Sequence, residues 1–189
     1  MNVTPAREVV LKVAYWGPGL AGSTTSVRHI ADHAGPGAKP EQGLFGDMAS
    51  LEFGELRGLK VRFQLHNAPK SVVDVARDRL FFRGVDGVVF VADSQTERLE
   101  ANVLKLEELE SLLEFNGLAI DRVPLVFQYN KRDLPDPVAF DELQAVLNPR
   151  GRPAFATVAT TGVGVLEVFA AIATQVLAER GAVSRSEPR

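Results

Sequence analysis

Short apolar runs alternate along this chain with stretches in which apolar residues recur every three or four positions. Val9 to Trp16 is apolar except for Lys12 and rich in β-branched residues, which predicts a buried strand. Ser23 to Ala34 carries Val27, Ile30, Ala31 and Ala34 at helical spacing, and Gly35-Pro36-Gly37-Ala38-Lys39-Pro40 then predicts a loop. Ala49 to Leu56 and Leu59 to Leu65 alternate with period two around Arg57-Gly58, the signature of an antiparallel hairpin. The pattern then predicts a helix over Ser71 to Phe82, a central strand over Gly87 to Ala92, and a long amphipathic helix over Glu97 to Phe115. A buried strand over Pro124 to Tyr129, a helix over Phe140 to Leu147, a strand over Ala154 to Ala159 and a helix over Val163 to Ala178 complete it. Gly181 to Arg189 reads as a polar, frayed tail.

Strands alternating with helices after one hairpin predict an α/β fold. The expected architecture is a mostly parallel six-stranded sheet with one antiparallel strand near an edge and helices on both faces. No repeat or linker divides the sequence, so residues 1–189 read as a single domain with its core over about 8–180. In such sheets ligands bind at the carboxyl ends of the strands.

Composition narrows the function. Hydrophobic residues make up 46% and charged residues 24%, the balance of a soluble globular protein, and the net charge of −3 gives no footprint for nucleic acid. Without cysteine there is no disulfide framework or thiolate metal site, and His29, His33 and His66 are too few for a histidine-built one. No leader-like or bilayer-length apolar run stands in the sequence, so the expectation is a cytoplasmic protein without a transmembrane segment.

Two loops carry candidate chemistry. Gly17-Pro18-Gly19-Leu20-Ala21-Gly22-Ser23-Thr24 follows the first strand and matches the phosphate-loop pattern G-x-x-x-x-G-K-[ST] at Gly17, Gly22 and Thr24, with Ser23 where lysine belongs. Successive N–H groups of such a loop, with the helix N-terminus behind them, can cradle phosphate. Thr24 is a candidate magnesium ligand; alternatively Thr24 or Ser23 simply caps the helix. Asn130-Lys131-Arg132-Asp133 follows a later buried strand. Asp133 can accept both guanine N1–H and N2–H, Lys131 can cover the base plane, and Asn130 can tie this loop to the phosphate loop.

On these residues the chain resembles the Ras-like small GTPases, and among them the bacterial MglA branch. The resemblance rests on Tyr15 to Leu20 with Gly22, Thr24 and Thr25, on Gly54 to Gly58, Gly84 to Gln95, Gln128 to Pro135, and Thr161 to Val165. It implies GTP or GDP with Mg2+, slow hydrolysis, and two switch loops read by a roadblock-domain regulator such as MglB or by effectors of polarity and gliding motility. It places Gly17, Gly19, Gly22, Ser23, Thr24 and Thr25 in the phosphate loop and Asn130, Lys131 and Asp133 at the guanine. Ala159 falls where a backbone N–H meets the base oxygen.

The departures cluster on one half of the ligand. Ser23 removes the cation that neutralises phosphate charge. No threonine stands near Gln42-Gly43 to complete a magnesium shell, and Pro69-Lys70-Ser71 replaces Pro-Gly-Gln in the second switch. The expectation is a pseudo-GTPase with weak guanine-nucleotide binding that acts through protein contacts, its partner surface including Leu44, Phe45, Lys70 and Ser71; Leu44, Phe45, Phe81 and Phe82 of this region can equally be buried, which periodicity does not decide. A working switch with partner-assisted hydrolysis and a ligand-free structural subunit are the alternatives. Lys70 is either a substitute cation or, as the commoner case, a solvated lysine. Asp86 and Asp93 read as turn residues, and the charges along Glu97 to Glu114 as a solvated helix face.

Overall fold

The computed structural model describes residues 8–35, 37–68 and 75–183. In chain order the elements are β1 (Glu8–Trp16), α1 (Ser23–His33), β2 (Ala38–Gly43), β3 (Gly46–Leu56), β4 (Leu59–Asn67), α2 (Val75–Phe81), β5 (Gly87–Asp93), α3 (Leu99–Phe115), β6 (Leu125–Asn130), α4 (Phe140–Leu147), β7 (Ala154–Ala156) and α5 (Val165–Val183). A short 3-10 turn, Thr96–Arg98, leads into α3.

One sheet holds all the strands in the order β2-β3-β4-β1-β5-β6-β7. β1 pairs parallel with β4 and β5, and β5, β6 and β7 continue in the same direction. β3 pairs antiparallel with both β2 and β4, so it alone runs against the others. The single reversed strand near one edge is therefore present, but the sheet has seven strands rather than six. The added strand is β2, expected as loop. Its residues, Ala38-Lys39-Pro40-Glu41-Gln42-Gly43, are mostly exposed and carry no apolar alternation. An edge strand held by backbone pairing leaves no trace in hydrophobic pattern, and Pro40 is tolerated there.

Other boundaries move by a few residues. β7 stops at Ala156 rather than Ala159, because the chain leaves the sheet there to build a site loop. α5 runs from Val165 to Val183, past the expected end at Ala178 and into the segment read as tail. Of the helix expected over Ser71 to Phe82, Val75–Phe81 is helical and residues 71–74 lie outside the described residues.

Helices cover both faces. On one, Val27, Ile30, Val168 and Ile172 of α1 and α5 pack on Val13, Phe63, Leu65 and Val89. On the other, Phe81 of α2, Leu109 and Leu113 of α3 and Leu143 of α4 pack on Trp16, Phe90 and Phe127. Trp16 ends β1 directly before the phosphate loop. It donates its indole N–H to Lys105 O at 3.1 Å and meets Phe82 edge-on at 5.1 Å, which fixes α3 relative to that loop.

Lys12 breaks the apolar run of β1 for a reason. Its ammonium crosses the second face and donates to Phe81 O at 2.5 Å and Arg83 O at 3.1 Å, closing the C-terminal end of α2 with a cation. Burial holds its pKa below the usual lysine value, against the opposing attraction of Asp86. His66, on the neighbouring strand, has a buried Nε2 without a partner. Burial, and then the charge of Lys12, push its pKa down to about 4.

The folded chain thus keeps His66 neutral where the unfolded chain, with a pKa of about 6.5, already binds the proton. Stability from this residue is complete above about 6.5 and is lost as pH falls toward 4. Urea titrations across that window are expected to show a steeper loss in the wild type than in His66→Gln.

Candidate functional site

The sequence of the phosphate loop is dictated by close approaches. A Cβ on Gly17 would stand 2.0 Å from Val91 O, and one on Gly22 would stand 2.2 Å from Asn130 Nδ2. Gly22 also has φ 106°, a left-handed conformation that favours glycine. Ala21 N–H closes the turn onto Pro18 O at 3.1 Å. Ser26 Oγ donates to Gly22 O at 3.1 Å and accepts Gln128 Nε2 at 2.7 Å, pinning the loop to β6 from below.

α1 starts at Ser23 behind this turn. No side chain caps it, and its first turn holds no acidic residue. The alternative in which Ser23 or Thr24 caps the helix has no hydrogen bond behind it among the described residues. Among the described residues no side chain accepts a hydrogen bond from the first-turn N–H groups, and a helix N-terminus left in this way can receive anionic oxygen. Ser23 and Thr24 are half-buried and Thr25 is exposed.

The guanine-type loop is joined to the phosphate loop through one side chain. Asn130 Nδ2 donates to Ala21 O at 2.7 Å, while its Oδ1 accepts Ala159 N–H at 2.9 Å and the Thr157 hydroxyl at 3.1 Å. Asn130 therefore has the tying place expected for it. The Ala159 N–H, however, is donated to Asn130 rather than left facing the edge. Asp133 is exposed and makes no hydrogen bond or ion pair among the described residues. Lys131, at φ 66°, donates to Asp93 Oδ2 at 2.5 Å and to Gln95 Oε1 at 3.1 Å. Asp93 accepts Gln95 N–H at 3.1 Å, so it does serve a turn, but its buried carboxylate also carries ion pairs. Asp86 accepts the Lys12 N–H at 2.7 Å and pairs with Arg180.

The switch-region expectations divide. Leu44 is 84% exposed at the tip of the β2–β3 hairpin. Phe45 is half-buried and meets Phe81 edge-on at 5.5 Å. Phe81 and Phe82 are core residues, fully buried, and not surface. Lys70 and Ser71 lie outside the described residues. Asn67, at the end of β4 beside Tyr15 of β1, is 2% exposed with neither side-chain atom partnered. Periodicity also hides Arg98: read as part of a solvated helix face, it instead donates to Gly19 O of the phosphate loop at 2.7 Å. Its place before α3, next to the end of a central strand, was the available signal.

Comparison with known proteins agrees with this geometry. The model of the ADP-ribosylation factor (Arf) family matches residues 76–176. The chain is 43% identical over 183 residues to the mutual gliding-motility protein MglA of Myxococcus xanthus, covering 92% of this chain and 94% of that protein. The chain belongs to the MglA-like small GTPases. Small GTPases as a family hold GTP or GDP with Mg2+, and the residues here fit that group unequally. The uncapped α1 and the two close-packed glycines give the cradle its shape, and the Asn130 bracket with the free Asp133 gives a base end. Ser23 stands at the head of α1, where the phosphate-loop pattern has lysine, and brings no cation of its own. For magnesium the loop offers the Thr24 hydroxyl, and among the described residues no cluster of three His, Asp or Glu stands together.

Replacing Asn130 by alanine would leave the Ala21 carbonyl, the Ala159 N–H and the Thr157 hydroxyl short of their bonds in a buried place. Asn130→Ala is expected to lower stability by about 3 kcal/mol or more in a denaturant titration.

Proposed function

We propose that this MglA-like protein is a pseudo-GTPase: it holds guanine nucleotides weakly, does not turn GTP over efficiently, and acts through protein–protein contacts. The observation that carries this reading is Ser23 at the head of an uncapped α1, a hydroxyl where several phosphate charges call for an ammonium. Asn67, a buried amide at the same edge with no hydrogen-bond partner among the described residues, leaves polar atoms open to a ligand there. Thr24 is the proposed magnesium ligand. Lys131, pinned over its loop by Asp93, and Asp133 are the proposed guanine contacts.

The proposed partner is an effector or a roadblock-domain regulator of the MglB kind. The proposed docking face is the hairpin tip at Leu44 with Phe45 and the adjoining α2, where Val75 and Leu80 are about half exposed. Polarity or motility regulation comes from the relative's name, which speaks of gliding motility. A cytoplasmic place is proposed on the same ground; no described helix is long and apolar enough to cross a membrane. The intact Asn130 bracket favours a second reading, a working switch whose missing groups come from a partner, as arginine fingers do in other GTPases.

Restoring the lysine separates the two. Ser23→Lys is expected to tighten GDP and GTP by about tenfold or more and to make binding respond to magnesium, in titrations of nucleotide-stripped protein. Equal, tight binding in wild type and variant would overturn the pseudo-GTPase reading.

A further inference from the structure

Arg98 closes the 3-10 turn Thr96–Arg98 on the edge of the phosphate loop, with its side chain 34% exposed. Nη2 donates to Gly19 O at 2.7 Å, and Nε lies 3.7 Å from Asp93 Oδ2. The same Asp93 oxygen receives Lys131 Nζ at 2.5 Å, and the other accepts Gln95 N–H. Asn102 holds the backbone of Asp93 on both sides, accepting its N–H at 2.9 Å and donating to its carbonyl at 2.8 Å, so the carboxylate cannot follow either cation. Glu97 bonds the Gln95 amide at 3.1 Å and reaches neither cation as an ion pair.

Two cations thus share one carboxylate, and the closer pair is Lys131 with Asp93. The surplus positive charge rests on Arg98, whose nearest partner is a neutral carbonyl of the phosphate loop itself. This loop has lost one positive charge at Ser23. A guanidinium has five donors, and an anionic oxygen is a stronger acceptor for them than a peptide carbonyl.

We propose that Arg98 is the phosphate cation of this site, taking the polyphosphate of a guanine nucleotide from the α3 side in place of the missing lysine. The inference rests on the reading that guanine nucleotides enter this loop. Arg98 bonds neither Lys131 nor Asp133, and its link to the base end runs only through the Asp93 carboxylate, whose closer partner is Lys131.

The test is titration of the nucleotide-stripped full chain with GDP and with guanosine, which keeps the base and lacks phosphate. Arg98→Ala is expected to weaken GDP by about tenfold and to leave guanosine unchanged, with Arg98→Lys retaining most of the GDP affinity. The wild-type GDP affinity should also fall with added salt more than that of Arg98→Ala. Unchanged GDP affinity in Arg98→Ala would overturn the proposal, and so would an equal loss for guanosine, which would mean that Arg98 only props the loop. A wild type that binds no guanine nucleotide at millimolar concentration would overturn it too, and with it the weak nucleotide binding, while leaving the action through protein contacts in place. Tight, magnesium-dependent wild-type binding that Arg98→Ala abolishes would do the reverse.

Discussion

The Asn130 side chain, 2% exposed, joins the phosphate loop, the end of β6 and the segment after β7 through its three hydrogen bonds. One partner follows β1 and two follow β7, so this amide, itself at the end of β6, ties three strand ends of the carboxyl edge together. The requirement reaches back into the sequence. Gly22 lies so close to the amide that a Cβ would collide with it, and the left-handed turn that this allows is what aims the first turn of α1 outward. Buried amides of this kind specify geometry because leaving any of their partners unpaired is costly.

Around that unit the proposed site has the form of a nucleotide cradle with little positive charge of its own. Gly17 and Gly22 bring the loop against Val91 and Asn130, and α1 offers open N–H groups, as a nucleotide cradle should. Ser23 leaves the cradle without its own cation, while the neighbouring Asp93, Lys131 and Arg98 carry one positive charge in surplus. The switch side is altered in a different manner. Its first segment is zipped into β2 and paired with β3 from Ala38 opposite Leu51 to Gly43 opposite Gly46, and Asp47 clasps Arg28 of α1 and Gln42 of β2. This pairing sets Leu44, largely exposed, at the tip of the β2–β3 hairpin.

Much of this was legible in the sequence, because much of it is written in periodicity and glycine. β1, β5, β6 and the β3–β4 hairpin are apolar runs that only a buried sheet explains, and the glycine loop and Asn130 motif fall after the strands that bring them to one edge. What escaped has physical causes. β2 buries almost nothing, so hydrophobic pattern cannot show it. Periodicity leaves Phe81 and Phe82 open between surface and core, and only Trp16 and Phe45 packed against them decide for the core. Arg98 and Asp93 are separated by little sequence but act through Lys131 and Gly19, which are far along the chain, and long-range charge pairing has no local signature. Lys70 and Ser71, on which the second switch was read, lie outside the described residues.

On the proposed reading, Lys131 and Asp133 can meet a guanine base, while the phosphate loop carries no lysine of its own and has, among the described residues, only the cation of Arg98 bonded to it. Calorimetric titration of nucleotide-stripped protein with GDP, with and without magnesium, tests it most directly. The account predicts a dissociation constant in the micromolar range or weaker, indifferent to magnesium. Nanomolar binding that collapses when magnesium is removed would contradict it.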